Sequence, residues 1–217
     1  MSLASGAGSK LTVMAAYRHS ASWAVWGSVR PSEPFTSESN LAFPGDDAAL
    51  PGVLHGDVVM VALNPGNAAA AWDPEDAWVN FHGGRRHNDH LLAEAFRDTP
   101  AWGGYLADLH PTIVESDSRL VTPRAELVAS AVQSLAEQIR LLGAPDPLVV
   151  CIGRGSHNRV LDHLDTLRRA LDNPGLEVVG IPHYSGANNG VHGGDPARYR
   201  DLVAAVLDEP FTRLRTT

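Results

Sequence analysis

An α/β fold of three α/β/α layers, with a four-stranded parallel sheet between helices, is what this 217-residue sequence predicts. Short, mostly apolar runs recur at 57–63, 105–109, 148–152 and 176–181, the first of them rich in β-branched residues. Each reads as a strand buried on both faces. Helix-periodic segments separate them, the alternation expected of a covered parallel sheet. Three of the runs end in polar residues beside a chain breaker: Asn64 before Pro65-Gly66, Asp108 to His110 before Pro111, and His183 after Pro182. Ligands of open parallel sheets bind beyond the carboxyl ends of the strands, so one edge collects the residues with chemistry to offer.

Each element has its own warrant. Residues 1–9 are small and polar and read as a disordered or vector-derived start, leaving 10–217 as a single domain. Helical spacing of Val13, Ala16, Ser20, Trp23 and Ala24 predicts a helix over about 10–27. Four prolines between 31 and 54 predict a long surface loop, of the kind that often borders a site. The polar, Gly-rich segment 81–90 precedes a helix over about 88–97, which Asn88 is placed to cap. Leu127, Val128, Ala131, Leu135, Ile139 and Leu142 mark a helix over 123–142, stopped by Gly143. Ser156 is the expected cap of a helix carrying Val160, Leu164, Leu167 and Leu171, and Asp195-Pro196 opens a last helix to about 207.

Composition narrows the classes. A hydrophobic share of 44% suffices for a core without staples. The single cysteine, Cys151, excludes a disulfide framework and any all-cysteine metal site, and its apolar run suits a buried, inert thiol. No apolar stretch reaches the roughly 18 residues of a membrane span, so a soluble, cytoplasmic monomer is expected. A Gly153-x-Gly155 pair without the remaining glycine of the fingerprint does not claim a dinucleotide, and no cofactor is expected. His87 and His90 stand one helical turn apart near His82, with Asp89 beside them. Ten histidines make such clusters common by chance, and no metal is assigned. The net charge of −8 weighs against a dedicated nucleic-acid binder, although His82, Arg85, Arg86, His87 and His90 form a local basic cluster.

Leu63-Asn64-Pro65-Gly66 resembles the first motif of the uracil-DNA glycosylase superfamily, in the form used by its mismatch-specific and single-strand-selective branches. Ile181-Pro182-His183-Tyr184-Ser185 resembles the second, and 150–155 is similar to the strand-then-glycine segment before the last helix. The match runs from about 55 to 207. It implies hydrolysis of an N-glycosidic bond, with Asn64 orienting water and His183 donating a hydrogen bond to the departing base. Phe81 stands where the family places an aromatic that stacks on an extruded base, with Pro65 and Gly66 beside it. Asp108 and His110 are the candidate readers of the base edge. Ser185 with the backbone N–H groups of Gly186 and Ala187 would take a phosphate, and Arg86 would contact DNA.

Departures from the family are equally plain. Tyr184 replaces a proline of the second motif, and Asp108 stands where the best-known branch has an asparagine. The loop 186–194 carries no lysine or arginine, and Val191 is its one modest wedge. Two further readings therefore stand beside a glycosylase acting on single- or double-stranded DNA. One is a protein binding or hydrolysing a nucleoside, nucleotide or other small ligand. The other is a non-catalytic relative. Each candidate residue also has a bland reading: Asn64 bonding its own turn, Phe81 and the tryptophans 72, 78 and 102 as packing, Asp108 as a buried structural acid, Arg85 and Arg86 as a solvated pair.

Overall fold

The computed structural model describes residues 8–66, 76–115, 117 and 120–215. Five strands form one sheet: β1 (Ala21–Trp23), β2 (Val58–Ala62), β3 (Tyr105–Asp108), β4 (Leu148–Ile152) and β5 (Val178–Ile181), in spatial order β1-β3-β2-β4-β5. The last four are mutually parallel and coincide with the four apolar runs. The sheet therefore has one strand more than expected, and it is mixed.

The extra strand replaces most of the helix expected over 10–27. Helix α1 (Gly8–Val13) lasts six residues, a 3-10 turn spans Ala15–Tyr17, and the chain then runs antiparallel to β3, with Ala21 opposite Ala107 and Trp23 opposite Tyr105. The helical spacing was a coincidence of composition. All six residues from Ala21 to Trp26 are buried, whereas a surface helix would expose one side. A strand can bury both faces because its backbone is satisfied edgewise, as in Ala24 N–H to Gly104 O (2.8 Å). Trp23 lies edge-on to Tyr105 at 5.1 Å and 6.0 Å from Trp78, while the Ser22 hydroxyl donates to the Trp78 carbonyl.

Alternating side chains divide into two cores. Met60, Ala62, Leu106, Val150, Ile152 and Ile181 face α2 (Asp89–Phe96) and α7 (Pro196–Leu214), which pack against each other. Val59, Val61, Tyr105, Ala107, Val149 and Cys151 face α3 (Ala125–Leu142), α4 (Arg154–Asp162) and α5 (Leu164–Leu171). Helices thus cover both faces of the sheet. The Cys151 thiol is fully buried, and burial pushes its pKa up to about 12.

Helix ends agree with the sequence in part. The Asp195 carboxylate caps α7 by accepting from the N–H groups of Ala197 and Arg198, and α7 continues through Pro210 to Leu214, beyond the expected end. Ser156 is not a cap. Helix α4 starts earlier, behind Gly153, and the Ser156 hydroxyl donates back to the Ile152 and Gly153 carbonyls. Nor does the Asn88 side chain cap α2. Leu127 is exposed, and α3 buries Val128, Val132, Leu135, Ile139 and Leu142 instead. The 31–54 loop is held by short 3-10 turns at Ser39–Leu41 and Leu50–Gly52. Of the start expected to be disordered, 1–7 lie outside the described residues and Gly8 and Ser9 open α1; Trp72 also lies outside them. Among the described residues no helix is long and apolar enough to cross a membrane.

Replacing Trp23 by alanine should lower unfolding stability by about 3–5 kcal/mol, the cost of emptying a large buried aromatic site. Urea denaturation measures it; a loss under about 1 kcal/mol would show that β1 is peripheral to the core.

Candidate functional site at the carboxyl edge of the sheet

Register brings the predicted residues to one edge. Ala62 pairs with Asp108 and Ile152 with Ile181, while Val61 pairs with Cys151. Asp108, Ala62, Ile152 and Ile181 therefore form one level row. Two positions further along come His110, Asn64, Arg154 and His183. Strand β4 lies between β2 and β5, so the backbones leading to Asn64 and His183 are separated by two strand spacings, about 9–10 Å.

Asn64 is half-buried, and its amide nitrogen donates to three carbonyls: Pro65 (2.9 Å), Ile113 (3.0 Å) and Glu115 (2.7 Å). A carbonyl only accepts, so the nitrogen must be the atom that faces them. The amide oxygen has no hydrogen-bond partner among the described residues. The bland reading, Asn64 bonding its own turn, accounts for one of three bonds; the other two cross to the segment after β3. Pro65 is buried, whereas Gly66 is exposed and faces open space.

His183 is half-buried, and its Nδ1 accepts from the Ser185 N–H (3.0 Å). That bond assigns the ring proton to Nε2, which has no hydrogen-bond partner among the described residues. Burial, with a smaller contribution from His192, depresses its pKa to about 4, so the imidazole is neutral at pH 7. Gly153, where β4 leaves the sheet, is required here twice over. Its φ of +88° suits glycine, and a Cβ there would lie 3.0 Å from the His183 Cβ and 3.1 Å from its Cδ2.

Asp108 is buried at the end of β3. Its Oδ2 accepts from the Asn80 amide (2.8 Å), while Oδ1 is buried without a partner. Burial pushes its pKa up to about 7, against the lowering effect of Asn80. His110 is also buried, its Nε2 unpartnered. Burial first, and the Arg159 charge second, lower its pKa. Phe81 packs into the core on the α2 and α7 side with 7% of its surface exposed, and holds a left-handed φ of +66°. Its N–H donates to the Asn80 side chain and its carbonyl accepts from Trp26. In this conformation the ring serves packing.

The predicted phosphate contacts lie beside His183. The Ser185 hydroxyl accepts from the Asn188 amide (3.2 Å), and Gly186 and Ala187 are exposed at the start of the Gly186–Asn188 3-10 turn. The loop beyond is structured. Helix α6 (Asn189–His192) buries His192 edge-on against Tyr199, at 5.5 Å, and leaves Val191 exposed. Arg86 is exposed and its Nε meets the neighbouring His87, while Arg85 donates to the Phe35 carbonyl and so ties the turn to the 31–54 loop. That loop therefore borders the 81–90 segment. The His82, His87 and His90 cluster does not converge: among the described residues no three His, Cys, Asp or Glu side chains could hold a metal ion.

Sequence reasoning missed three participants: Asn80, which holds Asp108, and Ile113 and Glu115, whose carbonyls orient Asn64. Asn80 has no local signal, and the carbonyls belong to a loop defined only by its contacts. Gly153, marked in the sequence by its strand-then-glycine segment, makes room for His183. Surface hollows on α3, one around Ile139 and Pro147 and one around Ser130 and Glu137, touch none of the strand-end residues.

Fold and site together define an α/β protein with a polar constellation at the carboxyl edge of its sheet. No family model matches the sequence, and no curated protein compared with it is similar.

Asp108 makes a pH signature measurable. A carboxyl with a pKa raised from about 3.9 to about 7 contributes stability that is full below about pH 4 and is lost as pH rises through about 7. Asp108→Asn, which can still accept from Asn80, should therefore raise the urea midpoint relative to the parent at pH 8.5. The advantage should shrink towards pH 5, and equal midpoints at pH 8.5 would show that Asp108 ionises without penalty.

Proposed function

We propose that the protein hydrolyses an N-glycosidic bond, releasing a damaged or deaminated base from DNA. The observation that carries this reading is the pairing of an oriented acceptor with an oriented donor. The three bonds on its nitrogen fix which way the Asn64 amide oxygen faces, and the bond on Nδ1 places the His183 proton on Nε2; neither atom has a hydrogen-bond partner among the described residues. The backbones that carry them lie two strand spacings apart, about 9–10 Å.

The chemistry follows from those two atoms. Asn64 Oδ1 accepts from a water and holds it towards the anomeric carbon without acting as a strong base. The C–N bond breaks with its electron pair leaving on the base. The sugar becomes cation-like and takes the water oxygen, whose proton passes to solvent. The neutral His183 donates from Nε2 to the base oxygen on which negative charge gathers. The Asp108 Oδ1, held in place through Asn80, faces the N–H groups of a base edge when ionised. The resemblance of 63–66 and 181–185 to the motifs of the uracil-DNA glycosylase superfamily supports the same assignment.

A nucleoside-like small molecule is the second reading, favoured by the net charge of −8 and by a 186–194 loop without lysine or arginine.

Short single- and double-stranded DNA carrying uracil, hypoxanthine, xanthine or a mismatch tests both. Base release, scored as alkali-labile abasic sites, should fall about 10²–10³-fold in Asn64→Ala and in His183→Ala with the fold intact. Activity that survives both changes ends the glycosidic assignment to these residues. Absence of release together with absence of salt-sensitive DNA binding favours the small-molecule reading, because phosphate contacts weaken with added salt.

A further inference from the structure

We infer that Tyr184 and Asp89 form a buried brace that sets the plane of the His183 imidazole and ties it to the arginine-bearing turn Arg85–His87. Tyr184 is then a positioning residue for the strand-end site. The catalytic consequence rests on the glycosidic reading above; the brace itself does not.

His183 is held by one hydrogen bond, from the Ser185 N–H to Nδ1. A single bond leaves a ring free to rock about it. The Tyr184 ring removes that freedom: it stacks on His183 with centroids 4.9 Å apart and planes 14° from parallel. Gly153 closes against the Cβ and Cδ2 of the same imidazole. Tyr184 is itself fixed, 8% exposed within the core on the α2 and α7 side.

Two contacts join Tyr184 to the start of α2. The Asn88 amide donates to the Tyr184 carbonyl (3.2 Å), and the Tyr184 hydroxyl faces the Asp89 carboxyl, with Asp108 and Tyr199 also close enough to act on it. Asp89 is 1% exposed and accepts from the Gly84 N–H (2.9 Å). Burial pushes its pKa up to about 8, so it keeps a proton at neutral pH and the contact with the phenol buries no charge. Asn88 holds a left-handed φ of +64°, and its side chain is spent on Tyr184 rather than on capping α2. The turn bearing Arg86 and the imidazole of His183 are thus two ends of one packed unit. A proline at position 184, as in the resembling motif, would stiffen the backbone but supply neither the ring stack nor the hydroxyl.

The full chain, labelled with ¹⁵N histidine, reports the brace without reference to activity. The parent protein and Tyr184→Phe should show His183 as the Nε2–H tautomer. In Tyr184→Leu the pKa of His183 should rise by about one unit, a tenfold change in proton affinity, with exchange between tautomers. Where base release is measurable, kcat of Tyr184→Leu should fall about 10- to 100-fold with little change in KM. An unaltered His183 pKa and tautomer in a folded Tyr184→Leu protein overturns the brace. Should that variant fail to fold, Tyr184→Phe decides: amide exchange at Gly84 and Asn88 accelerated about tenfold supports it, and unchanged exchange overturns it. The expected histidine signature in a protein that releases no base would leave the brace standing and remove the glycosidic reading.

Discussion

Register is the constraint on which the carboxyl edge of this sheet depends. Asp108, Ala62, Ile152 and Ile181 form one row across four parallel strands, and that row decides where His110, Asn64 and His183 emerge. A slip of one residue in β5 would turn its side chains to the opposite face and take His183 with them. β2 and β4 are buried at every position, and in β5 it is Ile181, the residue in that row, that is buried. The strand between the two candidate residues ends on a glycine. With a side chain at Gly153, the exit of β4 would occupy space that the His183 ring already fills.

Orientation completes what register begins. Asparagine carries two donors and two acceptor sites, and a neutral histidine carries one of each. Among the described residues, three carbonyls around the Asn64 nitrogen and one N–H at the His183 Nδ1 leave the Asn64 oxygen as an acceptor and the His183 Nε2–H as a donor without partners. Groups held in this way need no reorganisation when charge develops nearby, which is the source of most electrostatic catalysis. The same region carries local costs. Asp108 Oδ1 and His110 Nε2 are buried without partners, each at a cost of about 1–3 kcal/mol, and Phe81 and Asn88 hold left-handed backbones. The well-packed sheet beneath carries these costs.

The parallel strands were legible because each is a short, mostly apolar run with a breaker at its end; β2, β3 and β4 are buried at every position, whereas β5 buries only Ile181. Strand β1 was not, because Ala21–Trp23 is three residues long and its identity comes from pairing with β3. Spacing alone cannot separate such a stub from a helix face. Asn64, Asp108, His110 and His183 were legible as strand-end residues. Their states were not: the neutral imidazole and the raised carboxyl pKa come chiefly from burial, and the turned amide from the carbonyls of residues 65, 113 and 115, none of which a local pattern announces. Phe81 shows the converse, since an aromatic in a suggestive position is equally suited to a core, and 7% exposure places it there.

The acidic balance of the chain bears on the site less than the formal count suggests. The figure of −8 is 17 basic against 25 acidic residues, each acid counted as charged. Asp89 and Asp108 have pKa values pushed up to about 8 and about 7 by burial, so near neutral pH they hold protons for much of the time. Both lie beside the candidate site. With both neutral the balance becomes −8 + 2 = −6. Arg85, Arg86 and Arg154 are exposed on the elements that flank the site. Acids beyond a Debye length of about 8 Å are screened at physiological salt. Beside these arginines the Glu38 carboxylate accepts from the Arg85 N–H, so the turn next to the site carries charge of both signs.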